Sequence, residues 1–308
     1  MNQLTNESMQ RTDTAHSNGA EAECVPFPAE SVTETKPRKG RRFRLPQSRR
    51  MVNDLLYFSK KIPSQALVRN CNIGELARLQ RDRENYPRVG WPVLFMKAYG
   101  IISERNATLR QCYMPYPWPS IYEHPYPIGR MTVSRHFRGE DWVLLGRIPE
   151  PNKQTLMELQ QTVDEFKHAP VMDVERFRMQ VDFSRYPTFI RRFAWRVTMY
   201  LSGFMRTDRI GTFGLTTVSA NGAISIHPPS MPTTMLTFGP VDEDGNVRVT
   251  IVYDHRVMDG ATVAGYLKEL DETLNDQITA EMTALRYRSP GVLSETSVVR
   301  NQELTMAQ

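Results

Sequence analysis

One histidine stands where it could act as a base. The segment Asp254-His255-Arg256-Val257-Met258-Asp259-Gly260 follows a strand-like run, Val247 to Tyr253. It precedes a helical pattern with Val263, Leu267, Leu270 and Leu274 along one side. A side chain at such a strand-to-helix turn can face a cleft while rigid elements hold its backbone. A neutral imidazole, with an ordinary pKa of about 6.5, is matched to withdrawing a proton from a thiol or hydroxyl as that group attacks a carbonyl. His16, His124, His136, His168 and His227 lack such a context and are expected to be structural. No Cys/His cluster shows ligand spacing, so no metal is expected.

The elements that must position His255 can be read from periodicity and turn chemistry. Met51, Val52, Leu55, Leu56 and Phe58 recur at helical spacing until Ile62-Pro63 stops them. A strand-like stretch from Ala66 to Arg69 leads to Asn72, a cap for a helix through Leu76 and Leu79. A mostly buried helix follows Pro92. Between Tyr113 and Pro127, five prolines alternate with tyrosines and Trp118, which predicts a rigid extended loop. Met131–Phe137 and Trp142–Ile148 read as a hairpin around Gly139, followed by a helix carrying Leu156, Leu159, Val163 and Phe166. Phe189 to Phe204 predicts one strongly apolar helix threaded with Arg191, Arg192 and Arg196, its aromatic stripe turned to the core. Strands are expected over Thr212–Ser219, Thr233–Phe238 and Val247–Tyr253, with Asp242–Asn246 as the turn between the last two. The final helix is expected to end near Asn275.

Composition sets the frame. A chain of 308 residues with 40% hydrophobic and 24% charged residues can bury a full core. Three domain-level segments are expected: a disordered basic extension over 1–46, a catalytic domain over 47–275 and a tail over 276–308. Three cysteines with no Cys-x-x-Cys pair suit a reducing compartment, and Met1–Glu23 lacks an apolar core, so a cytoplasmic location is expected. No apolar run is long enough to cross a bilayer. The net charge of +5 is concentrated between Lys36 and Arg50, which reads as a solvated lead-in rather than a nucleic-acid site.

The order of several short motifs resembles the catalytic domain of the acyltransferase component of 2-oxo acid dehydrogenase complexes, and the related chloramphenicol acetyltransferases. The His-x-x-x-Asp-Gly element at His255, Asp259 and Gly260 carries the likeness. It is joined by Ser59-Lys60-Lys61-Ile62-Pro63, Phe95-Met96-Lys97-Ala98, Gly211 to Thr217, Pro228-Pro229 and Met235 to Gly239, all in the family's order. Ser64 stands where the family usually has a histidine. The resemblance implies an α/β fold, a chloramphenicol acetyltransferase-like two-layer sandwich with a mixed β-sheet covered by helices. It also implies a homotrimer with active sites between neighbouring subunits. His255 would be the general base, Thr216 the oxyanion donor in place of the family's serine (with Thr217 as rival), and Asp259 a supporting carboxylate paired with Arg49 or Arg50.

The first 46 residues are too short and too polar for a lipoyl or subunit-binding domain, so no covalently attached lipoyl group is expected. The reading that follows is an acyltransferase using coenzyme A, as an acyl thioester, or an acyl carrier protein as donor. Transfer would be direct, with no acyl-enzyme. The alternative is a non-catalytic trimeric scaffold or core protein. A third reading is peripheral membrane contact through Arg191, Arg192 and Arg196 beside Phe193 and Trp195.

Overall fold

Two neighbouring strands run through the buried centre of the sheet. β7 (Thr234–Phe238) is buried at every position, and β8 (Asn246–Asp254) is buried from Val249 onward. The structure, a computed structural model, describes residues 39–218 and 222–286. Around these two strands the sheet takes the order β1-β8-β7-β6-β4-β5, with β1 spanning Ser64–Asn72, β4 Ile128–Phe137, β5 Glu140–Pro149 and β6 Phe213–Thr216. β4, β6 and β7 run parallel to one another, and the remaining pairs are antiparallel. It is thus a mixed sheet, and helices pack on it. The turns follow their chemistry: Arg138 and Gly139, both at positive φ, close β4 onto β5, and Gly245 does the same work ahead of β8.

One face of the sheet carries the main core. Helices α2 (Gly74–Arg81), α3 (Trp91–Arg105), α4 (Leu156–His168) and α8 (Gly260–Thr273) cover it. Phe95 of α3 stacks on Phe238 of β7 at 4.1 Å. Thr155 and Glu158 form a reciprocal capping box at the start of α4. Beyond α8 the helix continues through Leu274–Ile278 into α9 (Thr279–Ala284), and Ile278 and Met282 are fully buried. The chain therefore stays in the core well past Asn275, where the helix was expected to end.

The opposite face is served by α1 (Gln47–Ser59), α6 (Thr188–Tyr200) and α7 (Gly203–Ile210), while α5 (Glu175–Phe183) packs at the β5 edge with Phe177 and Val181 in the main core. Along β5, Trp142, Leu144 and Ile148 are buried toward α4, whereas Val143, Leu145 and Arg147 are only half-buried on this second side. Gln180 of α5 closes the β5 edge by exchanging hydrogen bonds with the Leu145 backbone, at 3.0 Å and 2.9 Å.

Three sequence expectations change here. The single helix over Phe189–Phe204 is two helices, broken at Ser202, whose hydroxyl caps α7 by accepting from the Met205 N–H. The α6 aromatic stripe is not a core face: Phe189 and Phe193 are 74% and 66% exposed. Arg191 goes inward instead, its Nε 2.6 Å from the buried Asp54 of α1. The Tyr/Pro segment, expected as a rigid extended loop, is in part a paired ribbon of β2 (Gln111–Met114) and β3 (Ser120–Glu123). Its prolines all lie outside the paired residues, where no ladder hydrogen bond is lost. Most of the expected N-terminal extension and C-terminal tail lies outside the described residues. Among the described residues, no helix is long and apolar enough to cross a membrane, and no cluster of three His, Cys, Asp or Glu could hold a metal.

Candidate active site

His255 follows the last residue of β8, and its backbone is fastened on two sides. Its N–H donates to the Pro63 carbonyl at 3.0 Å, just before β1 begins. Its neighbour Asp254 is buried and takes a bidentate grip on Arg256, with Nε–Oδ1 2.9 Å and Nη2–Oδ2 2.6 Å. The Arg256 backbone N–H also donates to Asp254 Oδ1. Such a fork fixes the turn's path as well as its charge. The Arg256 guanidinium lies 4.4 Å over the Tyr113 ring, so the Tyr/Pro ribbon braces the loop that presents His255. The imidazole itself is exposed, with the Tyr253 ring centroid 5.6 Å away.

Asp259 is the N-cap of α8 and accepts from the Thr262 N–H at 2.8 Å. That backbone donor, followed by the Thr262 hydroxyl and the nearby His255, holds its carboxyl below the usual range. Arg49 and Arg50 do not pair with it. Arg50 donates to the Ser184 carbonyl at 3.4 Å, and Gln47 beside it reaches Ser184 and Val181, so the start of α1 is committed to the end of α5. The ion pair anchoring α1 is Asp54 with Arg191, and Arg192 stands 3.8 Å from the other Asp54 oxygen.

Thr216 ends β6 and lines a cavity of about 190 Å³ together with Leu55, Thr132, Pro228, Met231 and Met235. The rival Thr217 has its hydroxyl committed to the Phe238 carbonyl at 3.2 Å. Register separates Thr216 from His255 within one chain. Thr216 lies opposite Thr237, which lies opposite Thr250, five residues before His255. With a rise of about 3.3 Å per residue and two strand spacings of about 4.8 Å, the two residues are roughly 19 Å apart. They cannot serve the same carbonyl in a single chain.

The structure brings forward a residue that sequence reasoning set aside. His227 Nε2 lies 3.0 Å from Ser64 Oγ, and Ser64 pairs in register with Asp254. A second imidazole thus reaches the strand end that carries His255. Its signal was absent from the sequence because a loop return, not a periodic element, delivers it. His124 is buried, its Nδ1 2.9 Å from Thr207 Oγ1, in keeping with a structural role. Cys71 and Cys112 are buried free thiols, and burial pushes Cys71 up to about 12, which leaves it inert.

No family model matches this sequence, and no curated protein matches it either. Solved structures do match the fold. A probable dihydrolipoamide acetyltransferase from Listeria monocytogenes aligns over 80% of this chain and 98% of its own, with 14% identity and a TM-score of 0.53. A dihydrolipoamide acetyltransferase from Azotobacter vinelandii aligns over 83% and 98%, with 16% identity and a TM-score of 0.53. A truncated catalytic core of a 2-oxoacid dehydrogenase multienzyme complex from Thermoplasma acidophilum aligns over 77% and 99%, with 14% identity and a TM-score of 0.53. The chain therefore has the fold of 2-oxo acid dehydrogenase acyltransferase cores.

Proposed function

We propose that this chain is an acyltransferase that moves an acyl group directly from a thioester donor to a thiol or hydroxyl acceptor, with His255 as general base. The observation that carries the reading is the presentation of His255: an exposed imidazole on a turn fastened to Pro63 and stiffened by a buried Asp254–Arg256 fork. The fold supports the same class. In the Azotobacter vinelandii enzyme a serine, a histidine and an asparagine were investigated for roles in the catalytic mechanism, the last two four residues apart, as His255 and Asp259 are here.

In the proposed step His255 takes the acceptor's proton as its sulfur or oxygen attacks the thioester carbonyl. The carbonyl oxygen becomes an oxyanion, which the Thr216 hydroxyl would stabilise; such donors contribute about 3 kcal/mol elsewhere. Collapse breaks the carbon–sulfur bond, and the imidazolium returns the proton to the departing thiolate. Asp259 caps α8 and holds the turn, and it carries no proton. The roughly 19 Å between His255 and Thr216 in one chain requires the hydroxyl to come from a second copy, which supports a homotrimer with sites between subunits. Coenzyme A and an acyl carrier protein present the same thioester, and both are proposed donors.

Free-thiol release from acetyl-CoA and longer acyl-CoAs, in the presence of a panel of thiol and alcohol acceptors, tests the proposal. His255→Ala should lower kcat by at least about 100-fold, within the range ascribed to general-base catalysis. Equal rates for wild type and His255→Ala, or no release with any donor, would leave the non-catalytic core protein as the better reading.

A further inference from the structure

A second cavity adjoins the one lined by Thr216. It measures about 650 Å³, and Met51, Leu145, Met179, Phe183, Tyr186 and Trp195 form much of its wall. The two cavities share Arg130, Leu145, Trp195 and Arg209 in their walls, so they adjoin around Arg130. Together they lie in the size range of small-molecule sites, which are apolar with a few convergent polar groups.

Arg130 is the polar group that stands out. Only 7% of it is exposed. Its buried Nε has no hydrogen-bond partner, and its Nη2 reaches only the Asp208 carbonyl, at 3.4 Å. The register explains the shortage. Arg130 of β4 lies directly opposite Arg147 of β5, so two guanidinium groups share one side of the sheet. The Asp208 carboxylate is engaged by Arg147 at 2.7 Å and makes no hydrogen bond to Arg130, which reaches only the Asp208 backbone carbonyl. Asp182, the other acid on the wall, pairs with Arg185. Arg176 and Arg209 add further positive charge around the same space, and Arg209 is turned to Thr198 at 3.1 Å. Trp195 contributes a second buried donor, its indole N–H, also without a partner. Burial, with Arg176 and Arg147 adding to it, pushes the Arg130 guanidinium down to about 9, yet at neutral pH it stays charged.

A buried cation that no carboxylate hydrogen-bonds, with only the nearby Asp208 charge to offset Arg147 and Arg176, is costly and is ordinarily paired. Gly211 shows that the fold makes room for this one. A Cβ there would come within 2.6 Å of the Arg130 Cγ, so the glycine leaves the path along which the side chain enters the space. We propose that the adjoining cavities bind a small amphipathic carboxylate, its acidic group on Arg130 and the Trp195 N–H and its apolar body between α5, α6 and β5. This inference does not rest on acyl transfer, since binding alone reads it, and failure of the His255 experiment would leave it standing.

Titration of the full-length chain with sodium decanoate, read by calorimetry and by thermal denaturation, tests the proposal, with decanamide as an uncharged probe of equal apolar length. Decanoate should bind saturably, raise Tm, and bind at least about tenfold more tightly than decanamide, as expected for a charge-assisted pair in a buried site. Arg130→Gln should abolish that preference by weakening decanoate far more than decanamide, and without ligand it should melt above wild type because an unpaired charge is gone. Should Arg130→Gln fail to fold, the wild-type comparison still decides. Ala194→Trp, which fills the larger cavity, should then block decanoate. Equal affinity for the acid and the amide, or no saturable binding of either, overturns the assignment.

Discussion

Asp54 has no exposed side-chain surface and sits 2.6 Å from Arg191, so removing either partner strands a charge in the interior. Asp54→Ala is expected to lose about 3–5 kcal/mol of unfolding free energy in urea denaturation, far more than an exposed pair would give. Nothing in the sequence marked this pair: its members are 137 positions apart and belong to helices whose docking is a tertiary event. His124 gives a pH signature at the same scale. Burial holds its imidazole below the ordinary value. The unfolded chain therefore takes up the proton first as pH falls through about 6.5, so stability is full above that value and is lost as pH drops toward the lower folded-state value. Denaturation midpoints measured between about pH 7 and pH 5 should fall for wild type and flatten for His124→Gln.

Elements were legible where a local signal dictated them. The turn at Gly139 and the apolar stripe of α8 each encode their own geometry. Helix α5 left no such signal, because its function is to close an edge: Gln180 answers the β5 backbone, a contact no periodicity announces. The proline-rich ribbon was hidden for the opposite reason, since its prolines suggested a loop while the eight paired residues between and before them are free of proline. Position along the chain located His255, but its distance from Thr216 needed the strand register. Gly211, at φ 90°, links α7 to β6 and carries both Thr216 and the Arg130 passage. Gly211→Ala should cost about 2 kcal/mol or more, seen as a lowered Tm, because a side chain is strained at that φ and meets Arg130 as well.

At the scale of the molecule, the proposed mechanism would make activity a property of paired copies, because His255 and Thr216 lie far apart in one chain. His255→Ala and Thr216→Val are each expected to be impaired alone. Dissociated, mixed in equal amounts and reassembled, they should recover roughly a quarter of wild-type activity, since a site drawing its imidazole from one copy and its hydroxyl from the next is intact when both are right. No recovery on mixing would place the two residues outside a shared site. The surface of α6 is also narrower than its sequence suggested for membrane contact, because Arg191 and Trp195 turn inward and leave Phe189, Phe193, Arg192 and Arg196. Liposome co-sedimentation at low and high salt measures whether that remainder suffices.

The row that sets this distance, Thr216 beside Thr237 beside Thr250, has one more implication. The Thr237 and Thr250 hydroxyls are sealed in the sheet with no hydrogen-bond partner. Valine has nearly the same outline and nothing to leave thirsty, so Thr237→Val and Thr250→Val should each toughen the protein by up to about 1 kcal/mol. An engineer wanting a heat-resistant version has two sites to begin with, both remote from the imidazole.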